Sequence, residues 1–228
     1  MTLGVPHQGQ NYFAWTMAFK QLLLPPNTKI ISLSGQPVDQ ARNMIVEQSE
    51  GEWLFFLDSD VICPPDTIPR LINTAVKNDF KIVSGLYWRR DTNPVPGAYH
   101  YFPDQITQFG RGGHRAILNW KPGEIFQADA VGAGCLLVKR EVFRIMPPSC
   151  ARDFYIKHYG DTPASRNIPD GWFYFGTIKM NQMSEDFCWT NAARLDYGIN
   201  TYVDSTVLCR HILPFSIGAE GFQAVDAG

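Results

Sequence analysis

The sequence predicts an α/β fold, one domain built on a mainly parallel central sheet flanked by helices. Three observations carry this expectation. Strand-length apolar segments alternate with segments of helical periodicity through residues 1–90. The run Trp53-Leu54-Phe55-Phe56-Leu57 is unbroken in its apolar character, as a strand covered on both faces requires. The length, 228 residues, suits a single domain rather than two.

In chain order, residues 2–5 form a first strand that ends at Pro6-His7-Gln8-Gly9, and Tyr12, Trp15, Phe19 and Leu22 then recur at helical spacing. Residues 29–33 read as a second strand, Ser34-Gly35-Gln36-Pro37 as a turn, and Val38, Ala41 and Ile45 as one helical face. The apolar run at 53–57 is the third strand, and Asp58-Ser59-Asp60 follows it directly. Pro64-Pro65-Asp66 opens a helix bearing Ile68, Leu71, Ile72 and Ala75, before a fourth strand at 81–84. In such a sheet ligands bind beyond the carboxyl ends of the strands, which is where Asp58 and Asp60 stand.

Beyond residue 90 the pattern turns rich in Gly, Pro and aromatic residues, with a strand at 134–138, a helix from about Arg140 and a poorly periodic stretch at 147–183. Residues 1–90 are read as the half that binds an activated donor, and 91–228 as an irregular half facing the acceptor. Ser184 caps a helix running to Gly198, followed by extended segments at 199–203 and 206–209.

Composition narrows the class without naming a function. Hydrophobic residues at 45% and charged residues at 18% exclude a disordered or fibrous chain. A net charge of -2 provides no general attraction to nucleic acid or anionic lipid, so partners must be argued from sites. Cys63, Cys135, Cys150, Cys188 and Cys209 are odd in number, widely spaced and free of any Cys-x-x-Cys pair. They read as reduced thiols of a cytoplasmic protein, not as a disulfide framework or zinc knuckle. No signal-peptide pattern and no apolar run near ~20 residues is present, so no transmembrane segment is expected, with peripheral membrane contact left open.

Asp58-Ser59-Asp60 has the chemistry to hold a hard divalent cation, since alternate residues of an extended segment can reach one ligand. The plain alternative is that these residues only end a strand and shape a turn. Ser184-Glu185-Asp186 suits the first turn of a helix, where acids complement the dipole. Asp186, or alternatively Glu185, could also serve as a general base. His211 offers a nitrogen ligand, although a lone histidine is more often structural. Arg42 could reach phosphate or base, or make a salt bridge. Gly132-Ala133-Gly134 leaves room for a ligand or makes a tight turn, and Gly110-Arg111-Gly112-Gly113-His114-Arg115 reads as a mobile loop.

The ordered set of Ala41-Arg42-Asn43, Phe55-Phe56-Leu57-Asp58-Ser59-Asp60, Val83-Ser84-Gly85-Leu86-Tyr87, Gly132-Ala133-Gly134-Cys135-Leu136-Leu137-Val138, Ser184-Glu185-Asp186-Phe187 and His211 resembles glycosyltransferases of the GT-A fold, particularly family-2-like enzymes. The resemblance covers most of the chain. It implies a single Rossmann-like GT-A domain and a hexosyltransferase-like enzyme dependent on Mn2+ or Mg2+. The implied donor is a UDP- or GDP-sugar and the acceptor a hydroxyl of a glycan, lipid, protein or modified nucleic acid. By the resemblance Asp60 and His211 bind the metal with Asp58, and Asp58 also contacts the donor's ribose or sugar. Pro6, His7, Arg42, Ser59 and Gly134 complete the donor site, with His7 standing where a small polar residue is usual. Asp186 would be the base of an inverting displacement, a role it loses if configuration is retained.

Three competing readings stand beside this one. A haloacid-dehalogenase-like phosphatase would use Asp58 as nucleophile, but lacks a convincing later lysine and Gly-Asp pair. A nucleotidylyltransferase would need a basic glycine-rich loop where Pro6-His7-Gln8-Gly9 stands. A non-catalytic sugar-binding module would bind carbohydrate without metal or nucleotide.

Overall fold

The computed structural model describes residues 1–9, 12–89, 95–107, 110–178 and 181–212. In chain order the first half comprises β1 (Thr2–His7), α1 (Phe13–Phe19), β2 (Lys29–Ser34), α2 (Val38–Gln48), β3 (Trp53–Leu57), β4 (Val61–Ile62), α3 (Thr67–Asn78) and β5 (Ile82–Leu86). The expected alternation is present, with β4 as a short addition. The second half holds β6 (Ala98–Thr107), β7 (Gly110–Ala116), β8 (Ile125–Ala128), β9 (Ala130–Val131), β10 (Cys135–Lys139), α4 (Val142–Ile145), α5 (Cys150–Tyr159), α6 (Pro163–Arg166), β11 (Gly176–Ile178), β12 (Asn181–Met183), α7 (Glu185–Tyr197), β13 (Thr201–Leu208) and β14 (Arg210–His211).

A 7-stranded sheet in the order β2-β1-β3-β10-β5-β13-β8 forms the centre. β2, β1, β3, β5 and β13 share one direction, while β10 and β8 oppose it. Alternation along the central strands sorts side chains to two cores. Leu54 and Phe56 of β3 face one core and Trp53, Phe55 and Leu57 the other; in β10, Leu136 and Val138 oppose Cys135 and Leu137. The first core is covered by α2, α4, α5 and α7, the second by α1 and α3. Burial on both faces is why β3 reads as a continuous apolar run.

Several expectations of the second half are corrected. Among the described residues beyond residue 90, β6 and β7 pair antiparallel where irregular structure was expected, and β6 also pairs with β9. The glycine-rich stretch at 110–115 runs along β7 as a strand, its backbone satisfied by the hairpin partner rather than left as a loop. The poorly periodic stretch at 147–183 contains α5 and α6, and the helix expected from Arg140 is a single turn, α4. The two extended segments near 199–209 are one strand, β13, with a register irregularity between Asp204 and Leu208. Local periodicity fails here because these segments bury contacts made across the chain, not along it.

α7 ends as expected at Gly198, which takes the left-handed conformation with φ 66°. Its start differs. Ser184 occupies the N-cap backbone position, but its hydroxyl donates to Asp186 Oδ1 at 2.5 Å and accepts no capping bond. The Asp186 carboxylate also accepts from the Phe187 N–H at 2.8 Å, so the acid rather than the serine satisfies the helix start.

Candidate active site

The carboxyl ends of β1, β3 and β5 place His7, Asp58 and Tyr87 along one edge of the sheet. Because β10 runs the other way, its amino end brings Ala133 and Gly134 to that same edge. The Asp58 N–H donates to the Gly134 carbonyl at 3.1 Å, joining the β3 end to the β10 start. A groove of about 230 Å³ opens there, walled by Pro6, His7, Gln36 and Val38 and floored by Asp58, Ser59 and Asp60. The sheet edge thus brings together Pro6, His7, Asp58, Ser59 and Asp60 around one groove.

Asp58 is fixed through both its backbone and its side chain. Its carbonyl accepts from Trp15 Nε1 at 2.9 Å and from the Val61 N–H at 3.1 Å, which makes the turn that carries Asp60. Its carboxylate, 28% exposed, accepts from Arg42 Nη2 at 3.0 and 3.3 Å. Arg42 itself is 2% exposed and spends its remaining donors on Glu185 Oε1 at 2.9 Å and the Ala133 carbonyl at 3.4 Å. Arg42 is therefore not presented to a donor phosphate or base: it is a buried organiser of the site. Burial alone would lower its pKa, but Asp58, Glu185 and Asp186 together outweigh that and raise it.

Glu185 and Asp186 part company structurally. Glu185 is buried with its carboxylate on Arg42, which removes it from the role of exposed base. Asp186 is half-buried, and its Oδ2 accepts from the Ala133 N–H at 3.1 Å. Burial, then the charge of Glu185, raises its pKa to about 6, while Arg42, Ser184 and the Ala133 N–H pull the other way. One guanidinium thus stands among three carboxylates, so the cluster keeps a local excess of negative charge.

β14 pairs antiparallel with β4, in the register His211 opposite Val61, and the Ile212 N–H donates to the Asp60 carbonyl at 2.8 Å. That ribbon puts His211 Nε2 at 3.4 Å from Asp60 Oδ1. His211 Nδ1 lies 2.8 Å from the Trp88 carbonyl, which can only accept, so Nδ1 carries a hydrogen and Nε2 is the nitrogen that faces Asp60. The Tyr87 ring meets the imidazole edge to face at 5.6 Å. Two lone-pair donors converging in this way fit a divalent ion: adjacent ligands with bonds of roughly 2.1 Å stand about 3 Å apart. The carbonyl behind the imidazole is the orienting partner that metal-bound histidines commonly have.

Gly134 and Gly132 serve Tyr87. The Gly134 N–H donates to the Tyr87 hydroxyl at 3.1 Å, a Cβ on Gly132 would overlap that hydroxyl, and one on Gly134 would lie 3.1 Å from the ring. The room expected for a ligand is filled by the tyrosine. Residue-by-residue reading missed Tyr87, Trp15 and Trp88 as site-builders. The signal for Tyr87 was its place just past the fourth strand; the other two act through contacts distant in sequence.

Residues 15–144 match the profile of glycosyl transferase family 2. The fold and this edge define a glycosyltransferase of the GT-A type, and the chain belongs to glycosyl transferase family 2. Among solved structures it is similar to A197 from STIV, at 15% identity and a TM-score of 0.57 over 93% of this chain and 85% of that one. It is also similar to GalNAc-T7, solved with UDP, GalNAc and Mn2+, at 10% identity and a TM-score of 0.60 over 94% of this chain and 44% of that one. No curated protein matches the chain in sequence. At these identities the structural likenesses concern the fold alone. Among the described residues no helix is long and apolar enough to cross a membrane.

Proposed function

We propose that the enzyme transfers a hexose from a nucleoside-diphosphate sugar, UDP- or GDP-linked, to an acceptor hydroxyl, with inversion and with help from Mn2+ or Mg2+. The observation that carries this reading is the convergence of Asp60 Oδ1 and His211 Nε2 at 3.4 Å beside the groove that Asp58, Ser59 and Asp60 floor. The solution of the similar GalNAc-T7 with UDP, GalNAc and Mn2+ supports the donor class and the ion.

Held by Asp60 and His211, the ion would supply the positive charge that a departing nucleoside diphosphate requires. Asp58, its carboxylate braced by Arg42, presents acceptor oxygens to hydroxyls of the donor. Pro6 and His7 wall the nucleotide side of the groove, with Ser59 between the two acids. His7 Nδ1 accepts the Gly9 N–H at 3.1 Å, which directs the ring's other nitrogen outward as a donor. Asp186 takes the proton of the attacking hydroxyl. With a pKa of about 6 it is ionised at neutral pH yet more basic than an ordinary aspartate, a balance suited to general-base work.

Membership of family 2 sets aside the phosphatase and nucleotidylyltransferase readings. The remaining contrast is with a sugar-binding module. Thermal-shift titration with UDP, GDP and their sugars, with and without Mn2+, tests it: ligand-bound native protein melts higher. The expected result is a shift that requires both nucleotide and ion and disappears in Asp60→Ala. A shift produced by free sugar alone, indifferent to ion and nucleotide, would replace the enzyme reading with the binding module.

A further inference from the structure

The spread of the cysteines along the chain conceals a cluster. Cys63, Cys135 and Cys209 place their sulfurs within 4.8 Å of one another, with Cys209 Sγ 3.1 Å from Cys63 Sγ and 3.6 Å from Cys135 Sγ. All three belong to the core that includes Leu57, Val61, Leu137 and Val207. Cys63 and Cys209 are also related by the β4–β14 ribbon. Its register pairs Val61 with His211 and Ile62 with Arg210, and one step further in the same register sets Cys63 opposite Cys209. Facing residues of an antiparallel pair have Cα atoms about 4.5–5.5 Å apart, inside the ~4.4–6.8 Å window that a disulfide needs.

The apolar setting decides between two thiol chemistries. A soft metal held by three thiolates would bury net negative charge, at a steep desolvation penalty. A disulfide is neutral and needs the sulfurs to close from 3.1 Å to ~2.0 Å. We propose that Cys63 and Cys209, thiols in this structure, are a latent disulfide pair that clamps β14 to β4 in an oxidising environment. The clamp falls three residues after Asp60 and two before His211, so it ties together the segments that carry both.

The oxidant is a low-molecular-weight disulfide. One cysteine thiol attacks it, forming a mixed disulfide and releasing one small thiol; the second cysteine then attacks the mixed disulfide, forming the Cys63–Cys209 bond and releasing another. Two S–H bonds are exchanged for one S–S bond, and the two protons and two electrons leave on the small thiols. Since the pair is buried, entry requires opening of the two-residue ribbon, and oxidation is correspondingly slow.

The test incubates the purified full-length chain with millimolar oxidised glutathione, quenches free thiols in denaturant and maps disulfides by non-reducing peptide mass spectrometry. The expected product links the peptides of Cys63 and Cys209 and is reversed by dithiothreitol. A loop of this length predicts a Tm rise on the order of 10 °C. The rise should persist in Cys135→Ser and vanish in Cys63→Ser. If all five thiols are still alkylatable after a day, if the bond maps to Cys135, or if the isolated protein carries stoichiometric zinc or copper released by thiol alkylation, the proposal is overturned. Wild-type mapping decides the matter even if a variant fails to fold, and it reads no glycosyl transfer.

Discussion

Arg42 and Glu185, 143 residues apart in sequence, form a buried ion pair with Nε 2.9 Å from Oε1. The pair joins α2 to the first turn of α7, and the same guanidinium reaches Asp58 at the end of β3. One side chain thereby sets the relation between the floor of the groove and the helix carrying Asp186. Asn43, the next residue, adds a second tie by exchanging hydrogen bonds of 2.9 Å with the Phe173 backbone.

Removing that cation leaves the buried Glu185 carboxylate without its partner. Arg42→Ala should destabilise the protein by roughly 3–5 kcal/mol, the usual cost of breaking a buried pair from one side. Chemical denaturation measures it; a loss below about 1 kcal/mol would mean the pair is not buried as described.

Asp186 predicts an acidic limb in the pH–rate profile. As a base it must be ionised, so kcat should rise with pH through about 6 and level off above. Asp186→Asn should lower kcat about 10²–10⁴-fold while keeping nucleotide affinity. Glu185→Gln removes a charge that raises this pKa and should move the limb to lower pH. A limb that stays in place in Asp186→Glu and Glu185→Gln alike would assign it to another group.

The same shift has a sign for stability. The folded state holds the Asp186 proton more tightly than the unfolded chain, whose aspartates titrate near 3.9. This group's contribution is therefore most favourable below the unfolded value and falls as pH rises from about 4 to about 6. Denaturation midpoints for wild type and Asp186→Asn across that window should converge at its acidic end and separate at its upper end.

His211→Ala should abolish or weaken by at least tenfold the Mn2+-dependent nucleotide shift, as loss of a direct ligand does at least as much as the 10–100-fold cost of losing an orienting partner. Isothermal titration with Mn2+ in the presence of nucleoside diphosphate reads this directly. Unchanged ion affinity in both His211→Ala and Asp60→Ala would remove the ion from this edge.

Gly132→Ala should destabilise by about 1–3 kcal/mol, because its methyl group meets the Tyr87 hydroxyl. Tyr87→Phe removes the clashing oxygen, so the double variant should recover part of that loss. A thermodynamic cycle with no coupling between the two positions would show that Tyr87 does not occupy the space.

Much of the first half was legible in the sequence because its strands and helices carry their own periodicity. Residues 53–57 read as a doubly covered strand, and Asp58 and Asp60 fall at its end whatever the rest of the chain does. The second half resisted because β6, β7 and the stretch around α5 draw their burial from partners far along the chain. Ser184 was read as a cap by residue type, yet the acid two residues on does that work once Ala133 holds it in place.

The sequence by itself determined the fold class, the acidic pair at a strand's end and the kinship with family 2, since the alternation of elements and the order of motifs are both written along the chain. Only the tertiary structure decided the partners: that Arg42 is buried between Asp58 and Glu185, that β10 runs backward to bring Ala133 to Asp186, and that His211 meets Asp60. Burial and charge pairing depend on which distant segments meet, and one-dimensional spacing does not encode that meeting.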